Sequence, residues 1–340
     1  MAAGRRQWWP ALAGLVISLL LLKWALRGTS AASLIGEIRG AHLAPLLLAV
    51  AVATLTFVIR LFRWRLLLRA DDGSALPVGP LWHAVAIGFM ANNVLPFRAG
   101  EFVRCYTAAR LTRTRLTAAL SSVAVERVFD GLTVVALLAF ALFAAALPSK
   151  VTIGGIAVSV TRAATTAGLI SVAALAFAVA VVIWPLAAER LVRRTVRSHR
   201  IAGALINAIE GFRHGLGTLR SPRRLSAVIA WSLVLWLVNA ASFWIAFAAF
   251  DLPVGFAGAL LLQGLLVFGI AVPSTPGYVG VFEAVISAVL LLYGVSATRG
   301  AAYALVYHVT TFIPITVLGA WSLARTGLSL GEIRRPAADA

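Results

Sequence analysis

Apolar residues come in long runs along this chain, and polar residues gather in the short intervals between them. Six runs, Trp9–Leu22, Leu43–Leu61, Leu132–Leu147, Ala163–Trp184, Leu225–Phe250 and Ala301–Leu323, are read as helices that cross a bilayer. Such a crossing takes roughly 20 residues once the flanking positions are included. Two further stretches break in the middle. Leu81–Leu95 runs into Pro96-Phe97-Arg98-Ala99-Gly100 and resumes as far as Arg110. Val254–Val272 runs into Pro273-Ser274-Thr275-Pro276-Gly277 and resumes as far as Tyr293. Proline removes a backbone donor and glycine releases the chain from helical geometry, so each stretch is predicted to be a re-entrant hairpin of two half-helices. The hairpins cover about residues 81–110 and 254–293. The expected fold is all-α integral membrane, with six full transmembrane helices and two hairpins in one polytopic domain over residues 1–340.

Charge sets the orientation. Lys and Arg total 30 against 12 Asp and Glu, a net charge of +18. The arginines sit in short intervals between apolar runs, the pattern of cytoplasmic loops. Arg5 and Arg6 place the N-terminus in the cytoplasm, and so does the group from Arg60 to Arg69 that is read as closing the second run. The segment Ser30–His42, with only Glu37 and Arg39, is read as an external loop. The basic loop at about 186–224 is cytoplasmic and carries a surface helix; Lys150 and Arg162 lie in an external loop; Arg325, Arg334 and Arg335 hold the C-terminus inside. The first hairpin then enters from the cytoplasm and the second from outside. That arrangement is compatible with an inverted repeat, echoed in Pro96-x-x-x-Gly100-Glu101 and Pro276-Gly277-x-x-Gly280-x-x-Glu283.

Composition narrows the function classes. Hydrophobic residues make up 61% of the chain and charged residues 12%, with a mean hydropathy of +0.93. No stretch is left for a sizeable soluble domain, and no basic segment interleaved with aromatics offers a nucleic-acid surface. The single Cys105 excludes an intramolecular disulfide; no CxxC or HExxH spacing occurs, so neither metal nor cofactor is implied. The N-terminal run resembles a signal peptide in charge, but Trp8, Trp9 and Trp24 bracket it as interface anchors, which favours an uncleaved helix.

Ionisable residues inside apolar segments are the candidate chemistry, because each charge at a helix centre costs about 2.5–3.5 kcal/mol. Arg98, Glu101 and Arg104 follow the first break. Glu101 and Arg104 are three apart and able to pair. Arg98 precedes a half-helix N-terminus, where free N–H groups favour an anion and a guanidinium matches a phosphate with two parallel hydrogen bonds. The alternative is a purely structural ion network. Glu126 and Asp130 share a helix face beside Arg127, at the point where the chain is expected to re-enter the membrane; they either relay protons or balance Arg98, or they orient the helix at the interface. Asn92 and Asn93 cap the break or meet the ligand. Glu283 is the only ionisable residue between Asp251 and Arg299, and His308 is its nearest candidate partner. Gln263, Asn239 and His83 are expected to join helices by hydrogen bonds.

Three ordered segments, Asn93-Val-Leu-Pro96-Phe-Arg98-Ala-Gly100-Glu101-Phe-Val-Arg104, Glu126-Arg127-Val-Phe-Asp130 and Pro273-Ser-Thr-Pro276-Gly277-Tyr-Val-Gly280-Val-Phe-Glu283, carry a resemblance. The chain resembles the transmembrane, flippase-like domain of the lysylphosphatidylglycerol synthase family and its stand-alone relatives, over nearly its whole length. The resemblance implies a lipid translocase domain in the cytoplasmic membrane, moving a phospholipid, polyprenyl or hopanoid-type lipid. It also implies enzymes of lipid biosynthesis, or a glycosyltransferase, as partners besides the membrane lipids. No aminoacyl-transferase segment follows Arg335, so lipid lysylation by this chain alone is not expected. Where relatives have arginine after the tyrosine of the last helix, this chain has Tyr307-His308. Without a GxxxxGK[ST] motif, movement is expected to be facilitated or driven by an ion gradient. The rival readings are a lipid-modifying enzyme with Glu126 or Asp130 as general base, and a non-catalytic membrane partner of another enzyme.

Overall fold

The computed structural model describes residues 8–95, 99–144, 150–153, 156–159, 184–195, 221–270 and 275–329, with a few single positions between 162 and 206. Its helices are α1 (Trp8–Ala25), α2 (Ala31–Gly40), α3 (Leu43–Leu67), α4 (Val78–Val94), α5 (Gly100–Thr112), α6 (Leu116–Ala144), α7 (Pro185–Thr195), α8 (Pro222–Phe247), α9 (Phe256–Gly269), α10 (Val281–Leu292) and α11 (Ala297–Thr326). Single 3₁₀ turns occupy Ala248–Phe250 and Pro276–Tyr278. Among the described residues four helices are long and apolar enough to cross a membrane: α3, α6, α8 with its 3₁₀ extension, and α11. The chain is thus an all-α, multi-pass membrane protein. The predicted run at 163–184 lies outside the described residues apart from single positions.

Several boundaries differ from the sequence expectation. Helix α3 continues past Leu61 to Leu67, so Arg60 and Arg63 lie within it rather than closing it. Apolar residues resume on either side of each arginine, and the helix has no reason to stop. Helix α6 is one continuous element of 29 residues, with Glu126, Arg127 and Asp130 inside it. Glu126 stands about 15 Å along the axis from Leu116. The segment read as an external loop at Ser30–His42 forms α2, which starts where Ser30 Oγ accepts the Ser33 N–H at 3.1 Å. Two four-residue strands, Lys150–Ile153 and Ile156–Ser159, pair antiparallel in the segment after α6. The surface helix predicted in the basic loop is α7, whose Leu186, Arg193 and Arg194 are exposed.

Each broken apolar stretch becomes a pair of short helices packed antiparallel. Helices α4 and α5 have 17 and 13 residues, α9 and α10 have 14 and 12, and each is shorter than a full crossing needs. Helices immersed in lipid gain little from leaving water and associate through close packing, which small residues permit. Gly88 of α4 shows this: a Cβ there would lie 2.5 Å from the Arg104 Cβ and 2.9 Å from the Gly100 carbonyl oxygen. Helix α11 approaches α4 in the same way, Gly319 lying against Met90 and the Ala86 carbonyl. One apolar core gathers Trp64, Leu67, Leu81, Val85 and Val125 from the first half. A second gathers Phe247, Leu260, Leu261, Tyr303 and Tyr307 from the second. Leu20, Leu47, Phe140, Ile313 and Val317 are more than half exposed and give the long helices an apolar outer surface suited to acyl chains.

The second pair reaches the first at the end of α4. The turn at Pro276–Tyr278 packs on the end of α4, Gly277 lying against Phe312 of α11 and near the Asn93 carbonyl. Ser18 of α1 ties this turn down, donating to Thr275 Oγ1 at 3.1 Å and accepting the Thr275 N–H at 3.1 Å.

Candidate functional site

Five of the sequence-predicted residues come together where α5 and α6 face α3. Glu126 is wholly buried and lies at the centre. Arg104 of α5 grips it with two parallel hydrogen bonds, Nη1 to Oε1 at 3.0 Å and Nη2 to Oε2 at 2.6 Å. Arg127 donates to Oε1 at 2.6 Å, and the Nη2 of Arg63, from α3, lies 3.1 Å from the same oxygen. Arg63 also donates to Asp130 Oδ1 and, at 3.0 Å, to Ser232 Oγ on α8. Asp130 accepts the indole N–H of Trp236 at 2.9 Å and lies 3.1 Å from Arg127. Arg104 rests on the face of Trp64, 3.9 Å from the ring centroid, and Trp64 donates to Ser122 Oγ at 2.9 Å. Four helices, α3, α5, α6 and α8, thus contribute to one ionic network.

Charge in the network balances three by three: Arg63, Arg104 and Arg127 against Glu101, Glu126 and Asp130. Such compensation is what allows these groups to be removed from water. The network has a sealed end and an open one. Arg63, Arg104 and Glu126 are almost fully enclosed, whereas the side chains of Glu101 and Arg127 retain 30% and 42% exposure. The pairing of Glu101 with Arg104 expected from their spacing is loose, at 3.7 Å, and its contact with Arg127 is 3.5 Å. Arg104 is committed to Glu126 instead. Glu101 is therefore the carboxylate most easily parted from its cations.

The asparagines hold the breaks. Asn92 Oδ1 accepts the N–H of Gly100 at 2.9 Å, satisfying the first donor of α5 rather than an exposed carbonyl. Asn93 donates to Thr316 Oγ1 at 2.8 Å and so joins α4 to α11. Arg98 lies outside the described residues.

Glu283 and His308 form a second, separate pair. Glu283 Oε2 accepts the N–H of Gly280 at 2.6 Å, and Oε1 lies 2.6 Å from His308 Nδ1. Both residues are buried. His308 stacks on Phe282 at 4.1 Å between centroids and meets the edge of Phe312. Gly280 has φ of 89°, and a Cβ on it would fall 2.1 Å from the Ser18 carbonyl oxygen, so only glycine fits. The interhelical bonds expected of Gln263 and His83 are not formed: Gln263 Oε1 and His83 Nδ1 are buried without a partner among the described residues. Asn239 offers its backbone carbonyl to Ser242 Oγ at 2.7 Å.

Arg63 is the functional-site residue that sequence reasoning missed, along with Arg60, Trp64, Ser232 and Trp236 around it. The available signal was the apolar continuation Leu66-Leu67-Leu68 beyond the arginines, which places them within a helix rather than at its end. Among the described residues no group of three His, Cys, Asp or Glu is placed to hold a metal ion.

A comparison with curated proteins returns no match. The family profile described as the lysylphosphatidylglycerol synthase TM region matches residues 11–319, and the chain belongs to that family.

Proposed function

We propose that this member of the lysylphosphatidylglycerol synthase transmembrane family moves an amphipathic lipid between the leaflets of the cytoplasmic membrane, both of its termini facing the cytoplasm. Six spanning helices surround two re-entrant pairs, α4–α5 and α9–α10, which enter from opposite faces and meet at their breaks. The shortness of these four helices and the contact of the Pro276–Tyr278 turn with the end of α4 support that topology. The observation that carries the function is the ionic network around Glu126: a set of buried, fully paired charges whose outer members, Glu101 and Arg127, stay accessible. A lipid head group with an anionic oxygen takes Glu101's place against Arg127 and Arg104, and Glu101 returns when the lipid leaves. Arg98, just before α5, belongs to the same anion site by its sequence position. The apolar outer surface of the long helices accommodates the acyl chains while the head group passes.

The test is reconstitution into liposomes containing a trace of fluorescent phosphatidylglycerol, with dithionite bleaching of the outer leaflet. Active protein raises the bleached fraction above the one-half set by the outer leaflet alone, and Glu101→Gln slows that rise. Bleaching indistinguishable from protein-free liposomes, with either phosphatidylglycerol or a polyprenyl phosphate as the probe, would overturn the proposal.

A further inference from the structure

Arg60 stands one helical turn before Arg63 on α3 and solves the problem of burial in the opposite way. It is 92% enclosed, from a residual exposure of 8%. No hydrogen bond and no carboxylate within ion-pair distance reaches its guanidinium among the described residues, and its Nη1 is buried with no acceptor. Arg63, by contrast, has two carboxylates and a serine. What touches Arg60 is aromatic: Phe89 of α4 lies 5.2 Å from the guanidinium carbon and Trp236 of α8 lies 5.6 Å from it. Ring faces attract a cation but accept little of its hydrogen-bonding capacity. The N–H groups in the guanidinium plane remain for another partner.

The orientation of this seat is fixed by the neighbouring network. Trp236 donates its indole N–H to Asp130, so the ring beneath Arg60 is pinned to a residue that also holds Arg63. Phe89 is braced edge-on by Phe57 at 4.9 Å. With the network neutral at three charges against three, Arg60 adds one uncompensated positive charge beside it. A buried guanidinium with prepared aromatic walls and no ion-paired carboxylate among the described residues is open to a partner from outside the chain.

We propose that Arg60, walled by Phe89 and Trp236, is the seat for the singly charged oxyanion of a lipid head group, a phosphodiester being the class that balances the charge. This rests on the proposed lipid-handling function and assigns its anion to a specific residue. A phosphodiester carries one negative charge and two free oxygens, which match the guanidinium fork. A phosphate monoester brings nearly two charges and would leave the pocket negative. A lipid rather than a free ion is the expected source because α3 and α8 carry exposed Leu55, Phe62, Leu233 and Leu237, an apolar surface suited to acyl chains.

The test compares the full-length protein with Arg60→Met and Arg60→Lys. Native mass spectrometry from neutral detergent is run with equal amounts of phosphatidylglycerol and diacylglycerol, which lacks the phosphodiester, and separately with inorganic phosphate. The wild type is expected to retain phosphatidylglycerol with about a tenfold preference, the size of one charge-assisted interaction. Arg60→Met should abolish that preference, and Arg60→Lys should restore only part of it. Because Arg60 has no carboxylate to orphan, Arg60→Met should unfold at no lower temperature than the wild type, which a structural arginine would not allow. An unchanged lipid preference in Arg60→Met overturns the proposal, and so does retention of inorganic phosphate without phosphatidylglycerol. Liposome translocation separates the two readings. Arg60-dependent binding without translocation leaves this site standing and removes the proposed function, whereas translocation unaffected by Arg60→Met does the reverse.

Discussion

Each half of the chain places a carboxylate at the start of the second helix of a broken pair, and the two halves neutralise their buried acids differently. Glu101, second residue of α5, faces Arg104 and Arg127 across 3.7 and 3.5 Å, and the sealed acid behind it, Glu126, is held by three guanidinium groups. Glu283, third residue of α10, closes on the backbone of Gly280 and on one imidazole. Guanidinium groups stay charged at every accessible pH, so the first arrangement is a permanent ionic network. An imidazole and a carboxylate can both become neutral by moving a proton, so the second arrangement can exist without any charge. The difference teaches that one acid is neutralised by cations whose charge is fixed and the other by a ring whose charge is able to change.

The largest break in this comparison comes at Glu126. Glu126→Gln keeps the shape of the side chain but leaves Arg63 and Arg104 buried without their shared carboxylate. Removing one partner from a buried pair costs about 3–5 kcal/mol. Thermal unfolding in detergent, followed by tryptophan fluorescence, should show a large fall in midpoint; a loss below about 1 kcal/mol would mean that the network is not structurally sealed. The corresponding change in the second half, Glu283→Gln, should cost less, about 1–3 kcal/mol, because the imidazole is able to stay neutral and a glutamine oxygen still accepts the Gly280 N–H. Equal losses at the two positions would erase the distinction between a fixed and a titratable neutralisation.

A pH profile sharpens the same contrast. The groups facing His308 are Glu283 from α10 and the rings of Phe282 and Phe312. His308 is the one histidine among them. Translocation by the wild type should respond to pH, while His308→Gln and His308→Arg should each flatten the response, the first fixed neutral and the second fixed positive. A profile identical in all three proteins would remove His308 from proton exchange.

Much of this organisation was legible from the pattern of residues. Proline and glycine inside apolar runs marked both broken pairs, because their effect on a helix is local and strong. Glu283 was legible as a candidate because no other Asp, Glu, Lys, Arg or His lies between Asp251 and Arg299, and His308 was its nearest candidate partner. The network was legible only in part. Arg63 was read with Arg60 and Arg65 as an orientation signal, since loop-counting rules treat any arginine near a helix end alike; whether the helix ends there depends on three-dimensional partners such as Asp130, 67 residues away. The tighter partner of Arg104 was not legible for the same reason: spacing indicated Glu101, three residues off, which does pair at 3.7 Å, while tertiary packing supplied Glu126 with better geometry. Helix α2 and the short strands at residues 150–159 left little trace, being brief segments whose pattern is weakly periodic.

The smallest expected effect concerns how the two breaks are tethered. The first is held within its own pair, Asn92 accepting the Gly100 N–H, whereas the second is held by a residue 257 positions away, Ser18 on α1. Ser18→Ala removes both contacts to Thr275 at once and should cost about 1 kcal/mol. The serine fills its site without strain, and alanine is smaller, so packing around Gly280 is preserved. Amide hydrogen exchange gives the decisive reading, because it reports local opening rather than global stability. Exchange should accelerate at residues 275–280 and stay unchanged at the start of α5. If both regions accelerate together, the two breaks open as one unit and the independence of the Glu126 network from the Glu283–His308 pair is lost.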